Sequence, residues 1–350
     1  KNQAMGSFRT ALSCAAASIA LSGAAWAQPI SYAASAWGDR WMYPFNFSSG
    51  FEITAPTFGA ILEPGFDDRD SQLIATWETA GSIPAGEGVE RYHVERVVVR
   101  AAVANNLVWR YDGTADPTAS YYPVGDPQRV ADADAGRPVE LFGVGYRNGA
   151  SASTWNEFAP FSNGVPNPGP AEKWRDAFAA VFDEIGAATD VSNQVRERWQ
   201  PTAMAIGRTN AVAPGALVPA NTVVEFEVDL CDATTRAYFA RALDSGRLHL
   251  AITSLEPATG GPGGGSGGEY PRFYMKENPA TSNPALRISI EIDARIGKRA
   301  DLNGDTGVDI LDFLDFIDAF SSGDAFADYD GNCEVDILDF LDFFDDFGSE

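Results

Sequence analysis

Residues 223–230 read Val-Val-Glu-Phe-Glu-Val-Asp-Leu, and this order decides the class of fold. Val224, Phe226, Val228 and Leu230 fall on one side of an extended chain, with Glu225, Glu227 and Asp229 on the other. That is the period of two of a strand with one face buried and one face wet. Arg287 to Ile292 repeats the pattern, with Ile288, Ile290 and Ile292 inward. Further runs of strand length span Tyr92–Val103, Leu107–Tyr111, Val139–Tyr146, Leu248–Leu255 and Arg272–Met275, separated by Gly, Pro, Asn and Asp. Short alternating runs between such breakers predict an antiparallel β-sandwich. One helix is expected to cover it. Ala171–Ile185 places Trp174, Phe178, Val181, Phe182 and Ile185 at spacings of three and four, directly after Pro170. The run Gly260–Gly268 has linker composition but lies between strand-like segments, so it is expected as a long hairpin loop.

The two ends of the chain are separate objects. After Met5, a short basic start with Arg9, an apolar stretch from Ala11 to Ala25 and the small-x-small triplet Ala25-Trp26-Ala27 predict a secretory signal over residues 1–27. Export removes Cys14 and leaves Cys231 and Cys333, too few for a disulfide framework; a single bridge would have to join the two regions. No other apolar stretch approaches the roughly twenty residues of a membrane helix, so no span is expected in the mature chain. The net charge is -24, from 49 acidic and 25 basic residues. A field of that sign repels phosphate, which argues against a nucleic-acid partner. Residues 301–350 hold 16 of the 49 acids and no Lys or Arg, yet also 8 of the 22 Phe. Solvated acidic tails are poor in aromatics, so this segment should fold once its charge is neutralised.

The neutralising species is readable. The octapeptide Asp-Ile-Leu-Asp-Phe-Leu-Asp-Phe occurs at Asp309–Phe316 and again at Asp336–Phe343, 27 residues later. Oxygen-bearing residues precede each copy at alternate positions. Asp301, Asn303, Asp305, Asp309 and Asp312 in the first copy, and Asp328, Asp330, Asn332, Asp336 and Asp339 in the second, occupy positions 1, 3, 5, 9 and 12 of a twelve-residue calcium loop. Gly307 and Glu334 stand at position 7, which offers a backbone carbonyl. Two Ca2+ ions are therefore expected.

An EF-hand would have an entering helix before each loop, and here only exiting helices are indicated. Two loop-plus-helix units with Asp at position 12 resemble a dockerin, over residues 301–347. The ending FLDFFDDFG is similar to tails of secreted surface proteins of planctomycete-type bacteria. The resemblance implies calcium-dependent docking to a cohesin-like partner and attachment to a cell surface or extracellular assembly. Position 6, normally Gly, is Thr306 and Cys333, a strain of roughly 1 kcal/mol each. Positions 10 and 11, polar in many dockerins, are Ile310-Leu311 and Ile337-Leu338. Two short helices cannot bury all their apolar side chains mutually, so Phe313, Phe316, Phe340 and Phe343 are expected to meet a partner, the sandwich or a neighbouring subunit.

The sandwich offers less chemistry. Gly264-Gly265-Ser266-Gly267-Gly268 satisfies a nucleophile-elbow pattern by composition only, because both histidines, His93 and His249, precede it. His249 alternates with Leu248 and Leu250 and is expected on the wet side of a strand. Glu63, Asp67, Asp68, Asp70, Glu78 and Glu157 are available carboxylates without a motif. Trp37, Trp41, Tyr43, Trp77, Trp109, Tyr111, Tyr121, Tyr122 and Trp155 could line a stacking platform for a polysaccharide, although core anchoring is the commoner use. Segments such as GRPVELFGVGYRNG and YPRFYMKENPATSNPAL resemble secreted jelly-roll domains.

The expected organisation is a signal at 1–27, a jelly-roll-like β-sandwich at 28–292, a linker at 293–300 and the dockerin-like module at 301–350. The expected role is that of a secreted, non-enzymatic surface protein. A polysaccharide-active enzyme with the same anchor and a self-assembling extracellular subunit are the alternatives.

Overall fold

The computed structural model describes residues 29–43, 46, 50–159, 175–258 and 268–349. The expected signal segment, the start of the expected helix at 171–174 and residues 260–267 of the glycine run lie outside them. Among the described residues the strands are β1 (Ile30–Ser35), β2 (Gly38–Met42), β3 (Thr54–Pro56), β4 (Gln72–Glu78), β5 (Tyr92–Ala102), β6 (Val139–Tyr146), β7 (Ala177–Phe182), β8 (Ala188–Asp190), β9 (Ala205–Ile206), β10 (Val223–Glu227), β11 (Arg247–Ser254), β12 (Arg272–Tyr274) and β13 (Ser289–Ile296). The helices are α1 (Gln194–Glu197), α2 (Ala233–Ser245), α3 (Ile310–Ser322) and α4 (Ile337–Ser349).

The protein is mainly β, and its sheets are antiparallel. One has the order β1-β13-β5-β10 and the other β2-β4-β11-β6-β7-β8, with β9 paired to β6; β3 and β12 form a separate ribbon. Leu73, Trp77, Leu141, Leu250 and Ile252 of the larger sheet share one buried cluster with Val97, Val99, Phe226, Ile290 and Ile292 of the smaller. The two sheets therefore pack face to face as a β-sandwich. The alternation of residues 223–230 is realised: Val224, Phe226 and Val228 are buried. On the outer face Arg100 reaches Glu225 at 2.7 Å and Glu291 at 2.6 Å. Cross-strand pairs of opposite charge suit a solvated sheet face.

The larger sheet is buried on both faces, and this overturns two expectations. Its outer side carries a second cluster of Met42, Ile74, Phe142, Val144, Trp155, Ala177, Ala179, Val191 and Ala251. A strand covered on both sides is apolar at every position, so its spacing imitates a helix. Residues 177–182 are thus strand β7, not part of a helix over 171–185. The covering helix is α2. Asp232 caps it by accepting from Thr235 N at 2.7 Å, and Gly246 ends it in the left-handed region at φ 73. Phe239 and Leu243 are buried in the inter-sheet cluster. His249 is buried for the same reason as β7, with its ring edge-on to Tyr146.

Three smaller corrections follow from pairing. Within 107–111, expected as a strand, Arg110 forms an isolated bridge to Leu217. The strands flanking the glycine run are not a hairpin pair, since β11 pairs β4 and β6 while β12 pairs β3. Residues 293–296, expected as linker, continue β13, with Arg295 opposite His93 and Ile296 opposite Tyr92. Ala300 already belongs to the core of the C-terminal unit, together with Leu302, Phe316, Ala319, Ala327, Tyr329 and Phe343.

Candidate metal centre

Each copy of the duplicated sequence folds as a loop followed by a helix, and the two loops share a set of hydrogen bonds, to which the first adds Gly304 N to Asp301 at 2.9 Å and Leu302 N to Asp312 at 2.9 Å. Position 1 accepts from position 6: Asp301 from Thr306 N at 2.9 Å, Asp328 from Cys333 N at 2.8 Å. Position 3 accepts from position 5: Asn303 from Asp305 N at 2.9 Å, Asp330 from Asn332 N at 2.8 Å. Position 5 accepts from position 7: Asp305 from Gly307 N at 2.8 Å, Asn332 from Glu334 N at 2.7 Å. Position 9 caps the helix: Asp309 accepts from Leu311 N and Asp336 from Leu338 N, both at 2.7 Å. Position 12 reaches back: Asp312 to Asp309 N at 2.9 Å and Asn303 N at 3.2 Å, Asp339 to Asp336 N at 2.7 Å and Asp330 N at 2.9 Å.

Short polar side chains that bond their own backbone two residues on hold such turns without regular structure. The repeat extends to backbone angles. Position 4 is Gly304 at φ 73 and Gly331 at φ 75; position 6 is Thr306 at φ 76 and Cys333 at φ 68. A β-branched residue at positive φ is an outlier, which agrees with the strain expected at position 6.

The loops concentrate negative charge. In the second, Asp328, Asp330 and Asp339 each bring one carboxylate oxygen to within 4.8 Å of the others. Asp328 Oδ1 is buried and accepts no hydrogen bond from the protein. In the first, Asp312 is fully buried. Burial pushes the Asp301 carboxyl above its ordinary range, and Asp312 and Asp305 add to the effect against the N–H groups of Thr306 and Gly304. Hard oxygen donors in this arrangement suit a hard cation such as Ca2+.

The four phenylalanines are placed differently from expectation. Phe316 and Phe343 are wholly buried in the unit's own core, and Phe313 and Phe340 are half-buried against it. The exposed apolar side chains are Ile310, Leu311, Leu314, Ile337, Leu338, Leu341 and Phe344. A helical pattern that is apolar nearly all round does not reveal which part of it turns inward.

Contacts to the sandwich hold the second loop. Cys231, just before α2, is disulfide-bonded to Cys333, with Cα atoms 5.4 Å apart. Arg236 on α2 donates to Asp330 O at 2.9 Å and to Gly331 O. The Arg299 guanidinium lies 4.1 Å from the Tyr329 ring centre and that of Arg295 4.5 Å from Phe326. The cysteine pair was legible as a possibility. Arg236 was not, because nothing local marks a residue whose partners lie 94 and 95 positions away.

The sandwich's candidate residues are mostly structural. Asp67 pairs with Arg175, Asp70 lies 3.5 Å from the same guanidinium, and Asp68 accepts from Arg196 N at 2.7 Å. Glu78 sits 3.6 Å from Arg247, and Glu157 2.5 Å from Lys276. Trp77, Trp109, Tyr111, Tyr121, Tyr122 and Trp155 are buried, Trp41 stacks on Tyr43 at 4.9 Å, and Trp37 is exposed. Among the described residues no helix is long and apolar enough to cross a membrane. No protein-family model matches the chain, and no curated protein matches it.

Proposed function

We propose that this is an exported, non-enzymatic β-sandwich protein whose C-terminal dockerin-like module binds two Ca2+ ions. The module attaches the molecule to a cohesin-like partner at a cell surface or in an extracellular assembly. The observation that carries the reading is the set of hydrogen bonds that the two loops share in register, with acidic oxygens converging in the second. Symmetry of the outer surface supports the docking step. Ile310 and Ile337 are both 62% exposed, Leu311 and Leu338 52% and 51%, Leu314 and Leu341 54% and 53%. Exposed apolar groups repeated in register mark an interaction surface more often than chance. The strand orders β1-β13-β5-β10 and β4-β11-β6-β7 support a jelly-roll reading of the sandwich, in which successive strands cross between sheets.

Calcium titration of the full chain by calorimetry is the test. Two ions per chain that are lost on Asp301→Asn with Asp328→Asn, with helical circular dichroism that falls on chelation, are expected. Uptake that Asp301→Asn with Asp328→Asn leaves unchanged up to roughly 1 mM, the range of extracellular calcium modules, overturns the reading. Steady turnover on a polysaccharide panel would overturn the non-enzymatic part alone.

A further inference from the structure

A second acidic group lies away from the tail, at the edge strand β2 of the larger sheet, where Asp39 pairs with Ala75 of β4. Asp39 on β2 and Glu157 are buried, and Glu277 is half-buried. One carboxylate oxygen from each of the three lies within 4.8 Å of the other two. Lys276 N donates to Asp39 Oδ2 at 2.8 Å, Asp39 N to Glu157 Oε2 at 3.1 Å, and Lys276 Nζ to Glu157 Oε1 at 2.5 Å. The same ammonium is 3.4 Å from Glu277 Oε1. One lysine thus faces three carboxylates. Asp39 Oδ1 and Glu277 Oε2 are buried and accept no hydrogen bond from the protein. Asp39, Lys276 and Glu277 line a cavity of about 370 Å³ with Ala36, Arg287 and Ile288. Arg287 turns its Nε to Thr281 O at 2.8 Å.

Buried charge is paired, protonated or bound to a cation. Here one ammonium stands against three carboxylates, and two of their buried oxygens accept no hydrogen bond from the protein. The charge of the group is therefore under-compensated by the protein alone. Two oxygens bound to one calcium ion at about 2.4 Å each can be at most about 4.8 Å apart, which the trio satisfies.

We propose that Asp39, Glu157 and Glu277 hold a hard divalent cation of the calcium class, independent of the two tail loops. The donors are all carboxylate oxygens, with no imidazole or thiolate among them, which disfavours zinc and copper. The cavity leaves room for water to complete the coordination shell. Such an ion ties β2, the segment carrying Glu157 and the segment after β12, three stretches far apart in sequence, at the edge of the larger sheet.

The test uses the full chain with both tail loops silenced by Asp301→Asn and Asp328→Asn. Titration with calcium chloride, and separately magnesium chloride, should still show one ion bound. Asp39→Asn or Glu277→Gln added to this background should remove it. Terbium provides a second readout, because Trp37 and Trp155 each lie two residues from a proposed ligand and residues 301–350 contain no tryptophan. Tryptophan-excited terbium emission should be lost in Glu277→Gln. If Asp39→Asn disturbs folding, Glu277→Gln, at the half-buried carboxylate, decides. No ion with either salt, or uptake unchanged by both substitutions, overturns the proposal and leaves a carboxyl cluster that holds a proton instead. Loss of tail binding alone would not touch it.

Discussion

The rings of Phe316 and Phe343 lie face to face, with centroids 4.1 Å apart and planes 2° from parallel. Each is the last residue of its copy of the repeated octapeptide, so the contact joins equivalent positions 27 residues apart. A residue that touches its own counterpart sits on a two-fold axis, here one internal to a single chain. Tyr329 lies edge-on to both rings, at 6.0 Å from Phe316 and 5.4 Å from Phe343.

Truncation at this contact should unfold the C-terminal unit and leave the sandwich intact. Phe316→Ala and Phe343→Ala should each cost about 3–5 kcal/mol in the unfolding of the C-terminal unit, as expected for a buried aromatic. The double substitution should cost less than their sum, because the two share one contact. By contrast, Leu311→Asp with Leu338→Asp, at exposed positions, should keep calcium stoichiometry and abolish capture by a cohesin-like partner. Chemical denaturation followed by circular dichroism checks the first, and pull-down from extracellular extract the second. A stable Phe316→Ala module would refute the buried-pair account.

Thr306→Gly should tighten the first loop. Its φ of 76 suits glycine and strains a β-branched side chain, so removing that side chain should favour the ion-bound form by about 1 kcal/mol, or roughly fivefold in affinity. Calorimetric titration of the single variant reports it. An unchanged or weaker first site would place the strain elsewhere.

Breaking the Cys231–Cys333 link should loosen the second loop more than the first. The bridge spans 102 residues, and in the chain-entropy account a cross-link of that span stabilises by about 4–5 kcal/mol. Cys333→Ser should speed amide exchange across 328–339 while 301–312 keep their protection. Arg236→Ala, which removes the donor to Asp330 O and Gly331 O, should act in the same direction more weakly. Equal loosening of both loops would contradict a one-sided anchor.

His249 should make the fold acid-sensitive. Burial, with Arg247 adding to it, depresses its imidazole to about 4. An unfolded histidine takes up a proton near 6.5. Between those values the unfolded chain binds a proton that the folded chain refuses. The stability contributed by the neutral ring is therefore complete above about pH 6.5, falls as pH drops towards 4, and falls no further below that; the loss should be on the order of 3 kcal/mol. Burial pushes Glu256 up to about 8, and its contribution runs the opposite way, lost as pH rises. Thermal melts of wild type and His249→Asn over this range should therefore converge with falling pH, whatever the background slope. Parallel curves would mean that the ring is protonated, or unprotonated, in both states alike.

Local periodicity and repetition made part of this protein legible from sequence. Strands β5, β6, β10, β11, β12 and β13 lie within the expected runs or within a few residues of them, because each carries its alternation or its apolar run in consecutive residues. The acidic loops were equally legible, since all their oxygen donors fall within twelve residues and are repeated in register. Strand β7 was not, because cover on both faces of the larger sheet erased the polar half of its alternation.

Nor could the sequence choose between Phe316 and Leu311 as the buried residue. Both lie on a helix that is apolar nearly all round, and only the crossing of α3 with α4 and Tyr329 selects the inward face. The same holds for Asp39, Glu157 and Glu277. No spacing relates them, and their carboxylates meet only after β2, the 157 segment and the stretch after β12 have been brought together at the edge of the larger sheet. Composition, period and repeat are properties of neighbours along the chain, and the sequence by itself determined what depends on them. Burial and convergence depend on residues far apart in the chain, and packing alone settled those.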